Sequence, residues 1–287
     1  MHHFLLHNDE IRPAADRCLS PGQVGVMNGW GVFSTLRVYD GVLFAWERHW
    51  ARMQRDANRL RVPFPSSPEW LEERLQRLID ANQAWNSTLR VMIVRNRGGM
   101  WEGPSSGDFD VVVFTADVCE WGSGVKLGVV PHARHAASEF SGAKILSWSQ
   151  NLAFLERAKE QGLDEVILLN ERGEVSECTS ANLFIVTKGK VLTPPLVSGC
   201  LPGVTRALLL EEIRVPGLSI NEKTLFPDDV ESADEVFITS TTRELLPVVS
   251  VEGWKIRTSV ESRNRLAEAF RQGVDSYIAP RRRPVPA

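Results

Sequence analysis

Cysteine, tyrosine and long apolar runs are scarce in this chain of 287 residues. Its four cysteines are widely spaced and form no Cys-x-x-Cys pair, which argues against a zinc ribbon or a disulfide framework and favours a reducing compartment. No apolar run approaches the roughly 20 residues that span a bilayer, and the N-terminus lacks the basic and apolar regions of a signal peptide. The sequence therefore predicts a cytoplasmic protein that does not enter a membrane.

An excess of one charge is also lacking. The chain carries 33 basic and 36 acidic residues, for a formal net charge of −3. Because a broad cationic surface is needed to attract a phosphate backbone, nucleic acid is not expected as a partner. The basic run at 280–284 is interpreted as a solvated chain end, with a recognition segment as the alternative.

Strands and helices alternate along the whole chain. Trp46, Trp50, Met53 and Ala57 recur at helical spacing, which predicts an amphipathic helix over 46–61. Further helices are predicted over 68–83, 151–161, 203–213 and 259–277. The predicted strands, rich in β-branched and aromatic residues, cover 32–39, 42–44, 89–94, 109–115, 165–170, 175–177, 183–186, 235–240 and 247–251. This interleaving predicts a mixed α/β (α+β) fold.

A segment rich in glycine and serine divides the chain. Residues 119–124 read Cys-Glu-Trp-Gly-Ser-Gly, which is the composition of a linker. We therefore place an interdomain linker at 121–124. It joins a small N-terminal domain over 1–120 to a larger C-terminal domain over 125–287.

Three polar features of the C-terminal half suit an anionic ligand. The helix start at 201–206 offers free backbone amides and a glycine that lets an anion approach the chain. A hydroxyl cluster at 239–242 ends an apolar strand, where ligands often bind in α/β sheets. Polar residues at 177–182 lie between two apolar strands. Taken singly, each feature is explained as well by a turn, a helix cap or a β-bulge.

Lys144 has small or apolar neighbours on both sides. It follows a Ser-Gly-Ala stretch and precedes Ile-Leu-Ser-Trp. Partial burial among these residues disfavours the charged ammonium and leaves the amine free to act as a nucleophile. The alternative is a lysine that reaches to solvent along an apolar surface.

Several motifs occur together in a recognisable order. The chain reads Lys-Ile-Leu-Ser-Trp at 144–148, Asp-Glu-Val-Ile-Leu-Leu-Asn-Glu-Arg-Gly-Glu-Val-Ser-Glu-Cys-Thr-Ser-Ala-Asn-Leu-Phe at 164–184, and Thr-Pro-Pro-Leu-Val-Ser-Gly-Cys-Leu-Pro-Gly-Val-Thr-Arg at 193–206. Upstream, Gly-Val-Phe-Ser-Thr-Leu-Arg stands at 31–37 and Glu-Arg-His-Trp-Ala-Arg-Met at 47–53. This order resembles the class IV aminotransferases of pyridoxal-phosphate fold type IV. That family includes branched-chain aminotransferases, D-amino-acid aminotransferases and aminodeoxychorismate lyases.

The resemblance implies a role for each matched residue. Lys144 matches the lysine that binds pyridoxal 5'-phosphate as a Schiff base and then moves the substrate proton. Glu177 matches the carboxylate beside the pyridine nitrogen, which it keeps protonated so that the ring accepts electrons. Arg52 matches the arginine that pairs with the cofactor phosphate. The other residues implied in cofactor binding are Val204, Thr205, Thr241 and Trp148.

The resemblance also implies an architecture and partners. Family members have a small N-terminal α/β domain and a larger C-terminal domain with barrel-like strands, and the cofactor lies between them. They are usually homodimers. The expected ligands are an amino donor, which is an amino acid or an amine, and a 2-oxo acid acceptor.

The residues expected around the substrate match those of the family less closely. Trp148 stands where many relatives have a tyrosine, and its indole N–H takes the place of the hydroxyl as a donor. Asn28 lies about where branched-chain enzymes have a pocket tyrosine, and Arg90 lies near their arginine for a distal carboxylate. Phe33 and Thr242 complete the predicted substrate-binding set.

Three functions compete. An aminotransferase is the main prediction, an aminodeoxychorismate lyase that releases pyruvate on the same scaffold is the alternative, and a non-catalytic binding protein is the third. Residues 96–101 lack the Arg-x-His of D-amino-acid enzymes, which argues against that substrate class. Trp148 beside Lys144 adds apolar bulk, which suits a small or apolar substrate side chain. No metal site is predicted, because His132 and His135 have no carboxylate or cysteine near them in sequence.

Overall fold

The computed structural model describes residues 1–100, 103, 105 and 107–282. The described chain forms two compact units. The first unit comprises Met1–Cys119, Lys144–Trp148 and the segment that begins at Ser276, and the second comprises Glu120–Ala143 and Ser149–Asp275. The domain limits predicted from the sequence, 1–120 and 125–287, remain a prediction. Trp101 and residues 283–287, which include the last two residues of the basic C-terminal run, lie outside the described residues.

The first unit is built on one antiparallel sheet. Its elements are β1 Phe4–His7, β2 Glu10–Pro13, α1 Val24–Asn28, β3 Gly31–Tyr39, β4 Val42–Leu43, α2 Trp46–Arg59, α3 Pro68–Asn82, β5 Ser87–Arg95 and β6 Phe109–Ala116. The six strands run in the order β2-β1-β6-β5-β3-β4, and every neighbouring pair is antiparallel. Asn8 and Asp9 form the turn that joins β1 to β2 in an antiparallel hairpin.

One face of this sheet forms the core of the first unit. Because neighbouring residues of a strand point to opposite faces, Val32, Leu36 and Val38 of β3 share one face. There they pack in a single hydrophobic cluster with Met53 of α2 and Leu75 of α3. Burial of this apolar surface against two amphipathic helices is what stabilises the unit.

The opposite face of the sheet carries side chains of mixed character. Phe33 pairs in register with Met92, and Thr35 pairs with Arg90. All four therefore project from the same face of neighbouring strands, where diagonal neighbours come within reach of each other. Phe33 and Arg90, far apart in sequence, become neighbours in this way.

Helix α2 confirms the helix predicted from the spacing of its apolar residues. Those residues are all buried, namely Trp46, Trp50, Met53 and Ala57. The helix ends at Arg59 rather than at residue 61. The reason is that Arg61 adopts a left-handed φ of 54°, which takes the chain out of the helix before Pro63.

The second unit contains a larger mixed sheet. Its elements are β7 Val125–Arg134, α4 Ser149–Glu160, β8 Glu165–Asn170, β9 Val175–Cys178, β10 Asn182–Thr187, β11 Lys190–Thr193, α5 Val204–Glu211, β12 Ser219–Glu222, α6 Pro227–Glu231, β13 Glu235–Ser240, β14 Glu244–Val251 and α7 Glu261–Ile278, which extends into the first unit. The strand order is β12-β11-β10-β13-β14-β7-β8-β9, and the sheet curls into a half-barrel. The pairs β11–β12, β14–β7 and β7–β8 are parallel. The predicted mixed class and the barrel-like strands are confirmed.

Some elements of the second unit escaped prediction. Strand β7 contains Gly128 and Pro131, which weaken a strand pattern, yet it pairs with β14 on one side and β8 on the other. Strands β11 and β12 and helix α6 span only four or five residues, too few for a periodic pattern. The predicted helix over 203–213 is shorter in the structure, and the predicted strand over 247–251 starts earlier, at Glu244.

Membrane spans and metal clusters were sought in the ranges that the structure describes. Within them, no helix has the length and apolar character needed to cross a membrane. Nor does this part of the chain gather three or more His, Cys, Asp or Glu side chains that could hold a metal ion. His135 lies 3.7 Å from the carboxylate of Glu171, a neighbour that the tertiary structure supplies.

Candidate active site

Lys144 is held along the edge of β3 in the first unit. Its carbonyl oxygen accepts a hydrogen bond from Phe33 N at 3.1 Å, and Leu146 N donates to Gly31 O at 2.9 Å. The segment Lys144–Trp148 thus runs beside β3 like a short additional strand. Its backbone is anchored to the sheet, so the start of the lysine side chain has a defined position.

Aromatic rings surround the amino group of Lys144. Its Nζ lies 4.5 Å from the centre of the Phe33 ring and 4.8 Å from the ring of Trp148. The two rings meet edge to face, with their centres 5.6 Å apart. These distances fall within the range of cation–π contacts. The lysine is half-buried, and its amine is placed in an aromatic rather than a fully aqueous environment.

Arg90 reaches the same aromatic pair from β5. Its guanidinium carbon lies 4.1 Å from the centre of the Phe33 ring. The Nε atom is buried and has no hydrogen-bond partner among the described residues. Burial lowers the pKa of Arg90 below its usual value. A half-buried guanidinium with an unused donor is suited to bind a carboxylate.

Asn28 joins this region through its backbone. It is the last residue of α1, and its carbonyl oxygen accepts a hydrogen bond from Ser147 Oγ at 3.1 Å. Its side-chain amide donates to Val24 O at 3.1 Å. Asn28 is exposed, so it is available for contact with a ligand.

Arg52 provides a buried cation on α2. It is 7% exposed, and its Nη2 donates to Ser34 Oγ at 2.8 Å. The Nε atom is buried without a hydrogen-bond partner in the described part of the chain. Burial lowers the pKa of Arg52 to about 10, against the opposing effect of Asp56. The guanidinium remains charged at neutral pH and has a spare donor for an anion.

A neutral histidine supports Arg52. His49 lies one helical turn earlier on α2, and its Nδ1 is 2.8 Å from Ser34 Oγ, the hydroxyl that also binds Arg52. Burial lowers the pKa of His49 well below 6.5, and the charges of Arg52 and Lys144 act in the same direction. The histidine is therefore neutral in the folded protein and fixes the serine hydroxyl without adding charge.

Glu177 is held by two donors in the second unit. It lies on β9 and is 6% exposed. Its Oε1 accepts from Arg134 Nε at 3.2 Å, and its Oε2 accepts from Leu201 N at 3.0 Å. Arg134 is itself positioned by Asn151, whose Oδ1 accepts from Nη2 at 3.1 Å. The carboxylate is thus buried, paired and fixed in orientation.

The three polar features predicted in the second half of the sequence meet around Asn182. The side-chain amide of Asn182 donates to Leu201 O at 2.9 Å, before the start of α5. On the neighbouring strand, Asn182 pairs in register with Thr239. Because Asn182 also ends the polar stretch at 177–182, the helix start, the hydroxyl cluster and that stretch are brought together.

Helix α5 opens toward this junction. Gly203 precedes its first residue, and Val204 and Thr205 are buried in its first turn, whose backbone amides have no intrahelical acceptor. A Cβ atom at Gly203 would lie only 2.1 Å from Asn182 Oδ1. Only glycine therefore fits between the helix start and β10.

The hydroxyl cluster forms the turn between β13 and β14. Thr239 is buried, and its hydroxyl has no hydrogen-bond partner among the residues described. Thr241 and Thr242 are half-buried, and Thr242 O accepts from Trp121 Nε1 at 3.0 Å. Arg243 stacks on the Trp121 ring at 3.9 Å and closes the turn.

Sequence reasoning missed several residues that support these groups. Ser34, His49 and Asp56 lie around Arg52, and Arg134 pairs with Glu177. His49, Arg52 and Asp56 recur at spacings of three and four, so that one face of α2 is polar as well as buried. That spacing was the available signal. For Arg134 there was none, since its partner is set by the β7–β8–β9 pairing.

Comparison with known proteins identifies the family. Residues 31–251 match the family described as amino-transferase class IV. The chain is 28% identical over 257 residues to D-alanine aminotransferase of Bacillus licheniformis, covering 88% of this chain and 89% of that protein. Branched-chain amino acid aminotransferase from Escherichia coli superimposes with a TM-score of 0.86 at 27% identity, over 96% of this chain and 95% of that one. A Legionella pneumophila protein named as a candidate 4-amino-4-deoxychorismate lyase shares the fold, with a TM-score of 0.82 at 23% identity over 90% and 96% of the two chains.

The match covers more than half of the chain, and the fold agrees over nearly its full length. The motifs at 31–37, 47–53, 144–148, 164–184 and 193–206 all fall inside the matched range. The solved relatives have fold type IV, as the motifs implied. The chain therefore belongs to the class IV aminotransferases, a family of enzymes that depends on pyridoxal phosphate.

Proposed function

We propose that this enzyme moves an amino group from an amino acid or an amine to a 2-oxo acid, with Lys144 holding pyridoxal phosphate covalently as a Schiff base. When bound, the cofactor supplies an aldehyde, an electron-accepting ring and a pyridoxamine form that carries the amino group. The observation that carries the proposal is the half-buried amino group of Lys144 beside the rings of Phe33 and Trp148. Once it has lost its proton, this amine is both the nucleophile and a base for the substrate proton.

The cofactor phosphate is proposed to bind to Arg52 and to the start of α5. Arg52 supports this role because it is buried and charged and has an unused Nε donor. The first turn of α5, with Val204 and Thr205, supplies backbone amides and a hydroxyl, an arrangement suited to phosphate. Thr241, which follows β13, is proposed as a further hydroxyl donor.

Glu177 and Trp148 are each proposed as a ligand of the cofactor ring. A carboxylate next to the pyridine nitrogen keeps that nitrogen protonated, and Glu177 suits this role because it is buried and fixed in orientation. Trp148 supplies an indole N–H for the phenolic oxygen where many relatives have a tyrosine hydroxyl. Its ring also lies 4.8 Å from the amine of Lys144.

The substrate is proposed to contact Phe33, Asn28, Arg90 and Thr242. Arg90 is the group suited to a carboxylate, because its buried Nε is unpartnered in the described ranges. Phe33 and Trp148 offer apolar surface close to the Lys144 amine. These contacts favour a substrate with one carboxylate near Arg90 and an apolar or small side chain.

An aminodeoxychorismate lyase is the second candidate, and one structural neighbour is named as such a protein. Its substrate is a bulky ring with two carboxylates, which calls for several cationic contacts. Arg37 donates to Val38 O and to Ser87 O at 2.9 Å, while Arg95 stacks on Trp30 and donates to Arg97 O. Their guanidinium groups are thus engaged, and this supports transamination over elimination.

The discriminating experiment is a half-reaction without any 2-oxo acid. The enzyme loaded with pyridoxal phosphate should convert stoichiometrically to the pyridoxamine form when given a good amino donor, and then stop. A panel of amino acids and amines, each followed by pyruvate or 2-oxoglutarate, identifies the donor and the acceptor. Continuous release of pyruvate from aminodeoxychorismate, with the original absorbance restored, contradicts the aminotransferase and supports the lyase.

We also propose a cytoplasmic homodimer with domains over 1–120 and 125–287, joined at 121–124. The homodimer rests on the family, whose members are usually homodimers, and the cytoplasmic location rests on the four cysteines, none of which forms a disulfide. Nucleic acid and membranes are not proposed as partners. Sedimentation analysis tests the dimer, cell fractionation tests the location, and limited proteolysis tests cleavage at 121–124.

A further inference from the structure

Asp56 is a buried carboxylate in the first unit that links α2 to the segment of Lys144. It lies four residues after Arg52, one helical turn along the same face, and is 1% exposed. Its Oδ2 accepts the backbone N–H of Lys144 at 3.0 Å. Its Oδ1 accepts Nε and Nη2 of Arg55 at 3.0 and 2.5 Å. Both oxygens are thus engaged, one by the lysine backbone and one by a guanidinium.

The bond to Asp56 completes the support of the Lys144 backbone. Its carbonyl oxygen is held by Phe33 N on β3, and its N–H is held by Asp56 on α2. Strand β3 and helix α2 belong to the same hydrophobic cluster. The peptide groups on both sides of the Lys144 Cα are therefore tied to a packed core. The side chain starts from a fixed point toward the rings of Phe33 and Trp148.

We propose that Asp56 is a positioning residue, which fixes the backbone from which the Lys144 amine reaches the cofactor aldehyde. The inference rests on the proposed function, because it takes Lys144 as the residue that binds the aldehyde. Asp56 acts through the Lys144 N–H and touches no reacting atom. Loss of this acceptor leaves a part-buried N–H unsatisfied, a change that is expensive relative to a normal hydrogen bond.

The charge of Asp56 acts on a second group. It raises the pKa of Arg52, against the effect of burial and of the neighbouring Arg55, which both lower it. One buried carboxylate thus holds the backbone of the lysine and lies close to Arg52, which stays charged at neutral pH with a pKa of about 10. Since Arg55 is 40% exposed in its side chain, the pair also connects this buried network to the surface.

The first test follows exchange of the Lys144 amide hydrogen in the full-length protein freed of cofactor. Asp56→Ala should accelerate exchange by at least about tenfold, because the acceptor is lost. Asp56→Asn keeps an acceptor oxygen and should stay within about threefold of the wild type. Asp80→Asn, on the exposed surface of α3, is the matched control and should change nothing. Unchanged exchange in Asp56→Ala overturns the proposal.

The second test separates the lysine from the phosphate site. Pyridoxal, which lacks the phosphate, probes Lys144 by its visible absorbance, and inorganic phosphate probes Arg52. Asp56→Ala should weaken pyridoxal binding by at least about tenfold without weakening phosphate binding, whereas Asp56→Asn should bind both within about threefold of the wild type. Equal losses for both probes, or equal losses in both variants, overturn the positioning role.

Two further outcomes keep the inference separate from the proposed function. If the wild type binds no pyridoxal at Lys144, the proposed function fails, while amide exchange still decides whether Asp56 holds the backbone. If Asp56→Ala does not fold, Asp56→Ser replaces it, because the shorter serine side chain cannot span the distance to the Lys144 N–H. An unchanged exchange rate in that variant overturns the proposal in the same way.

Discussion

The amino group of Lys144 lies beside two aromatic rings, whereas Lys159 on α4 is exposed. We predict that Lys144→Ala abolishes turnover and the visible absorbance of the bound cofactor, because the covalent link is lost. Lys159→Ala, as the matched control, should change neither. Borohydride reduction followed by peptide mapping identifies the labelled lysine. A label on any residue other than Lys144 would show that the assignment is wrong.

His49 makes a specific contribution to pH-dependent stability. Burial lowers its pKa in the folded protein well below 6.5, whereas in the unfolded chain it titrates near the ordinary value of about 6.5. Below that pH the unfolded chain binds the additional proton, so the stability present at higher pH is lost as the pH falls toward the folded pKa. The free energy of unfolding should therefore fall by up to about 1.4 kcal/mol per pH unit from this residue.

The contribution of His49 is measured by urea denaturation between about pH 7.5 and pH 5.5, the range below and above its ordinary pKa. His49→Asn keeps a polar group beside Ser34 but cannot bind the proton, so its stability should depend less on pH than that of the wild type. His135→Asn, an exposed site, is the control and should keep the wild-type slope. Identical slopes in all three proteins contradict a buried, neutral His49.

The proposed functional residues fall into two groups. Some stand in local sequence motifs, and others are identified only by a partner that lies far away along the chain. Lys144, Glu177 and Arg52 could be proposed from sequence because each stands inside a motif of ordered, local residues. Asp56 and Arg134 could not, because an acidic or basic residue in a helix or strand is usually solvated. Only the fold shows that the first accepts the Lys144 N–H and that the second pairs with Glu177.

Among the structural elements, helix α5 depends most on a single residue. Gly203→Ala would place a Cβ atom 2.1 Å from Asn182 Oδ1, and that side chain is held by its bond to Leu201 O. We predict a loss of about 1–3 kcal/mol in the free energy of unfolding, the usual cost of overpacking. Cofactor retention should weaken as well, because the first turn of α5 is displaced.

The matched control for this substitution is Gly107→Ala. Among the residues that the structure describes, the atom nearest to its added Cβ would be Phe109 O at 3.8 Å. Thermal and urea denaturation of both variants, together with equilibrium dialysis of pyridoxal phosphate, measure the two effects. Wild-type stability in Gly203→Ala would mean that Asn182 moves aside freely.

The accuracy of element prediction followed the regularity of the sequence pattern. Helix α2 shows apolar residues at strict helical spacing and was predicted to within two residues at its end. Strand β7 was missed because its sequence includes Gly128 and Pro131, and its extended form depends on pairing with β14 and β8. Hydrogen bonding to two neighbours outweighs the weak local preference of such a strand.

At the scale of the whole molecule, cofactor binding should be coupled to folding. A ligand that binds only the folded chain stabilises it by about 2.7 kcal/mol at a free concentration of about 100 times Kd. Removal of pyridoxal phosphate should therefore lower the free energy of unfolding, and its return should restore it. Lys144→Ala should lose most of this gain. Equal stability with and without the cofactor contradicts binding to the folded state.

The sequence by itself determined the family, the mixed fold class and the motif residues, because these depend on local order and on periodic burial. The tertiary structure alone decided which groups meet. The segment Lys144–Trp148 lies in the first unit although the residues on either side belong to the second, because it pairs with β3. Strand register brings Arg90 beside Phe33, and Asn182 beside Thr239. Contacts between residues far apart in sequence follow from packing and register, which no local pattern encodes.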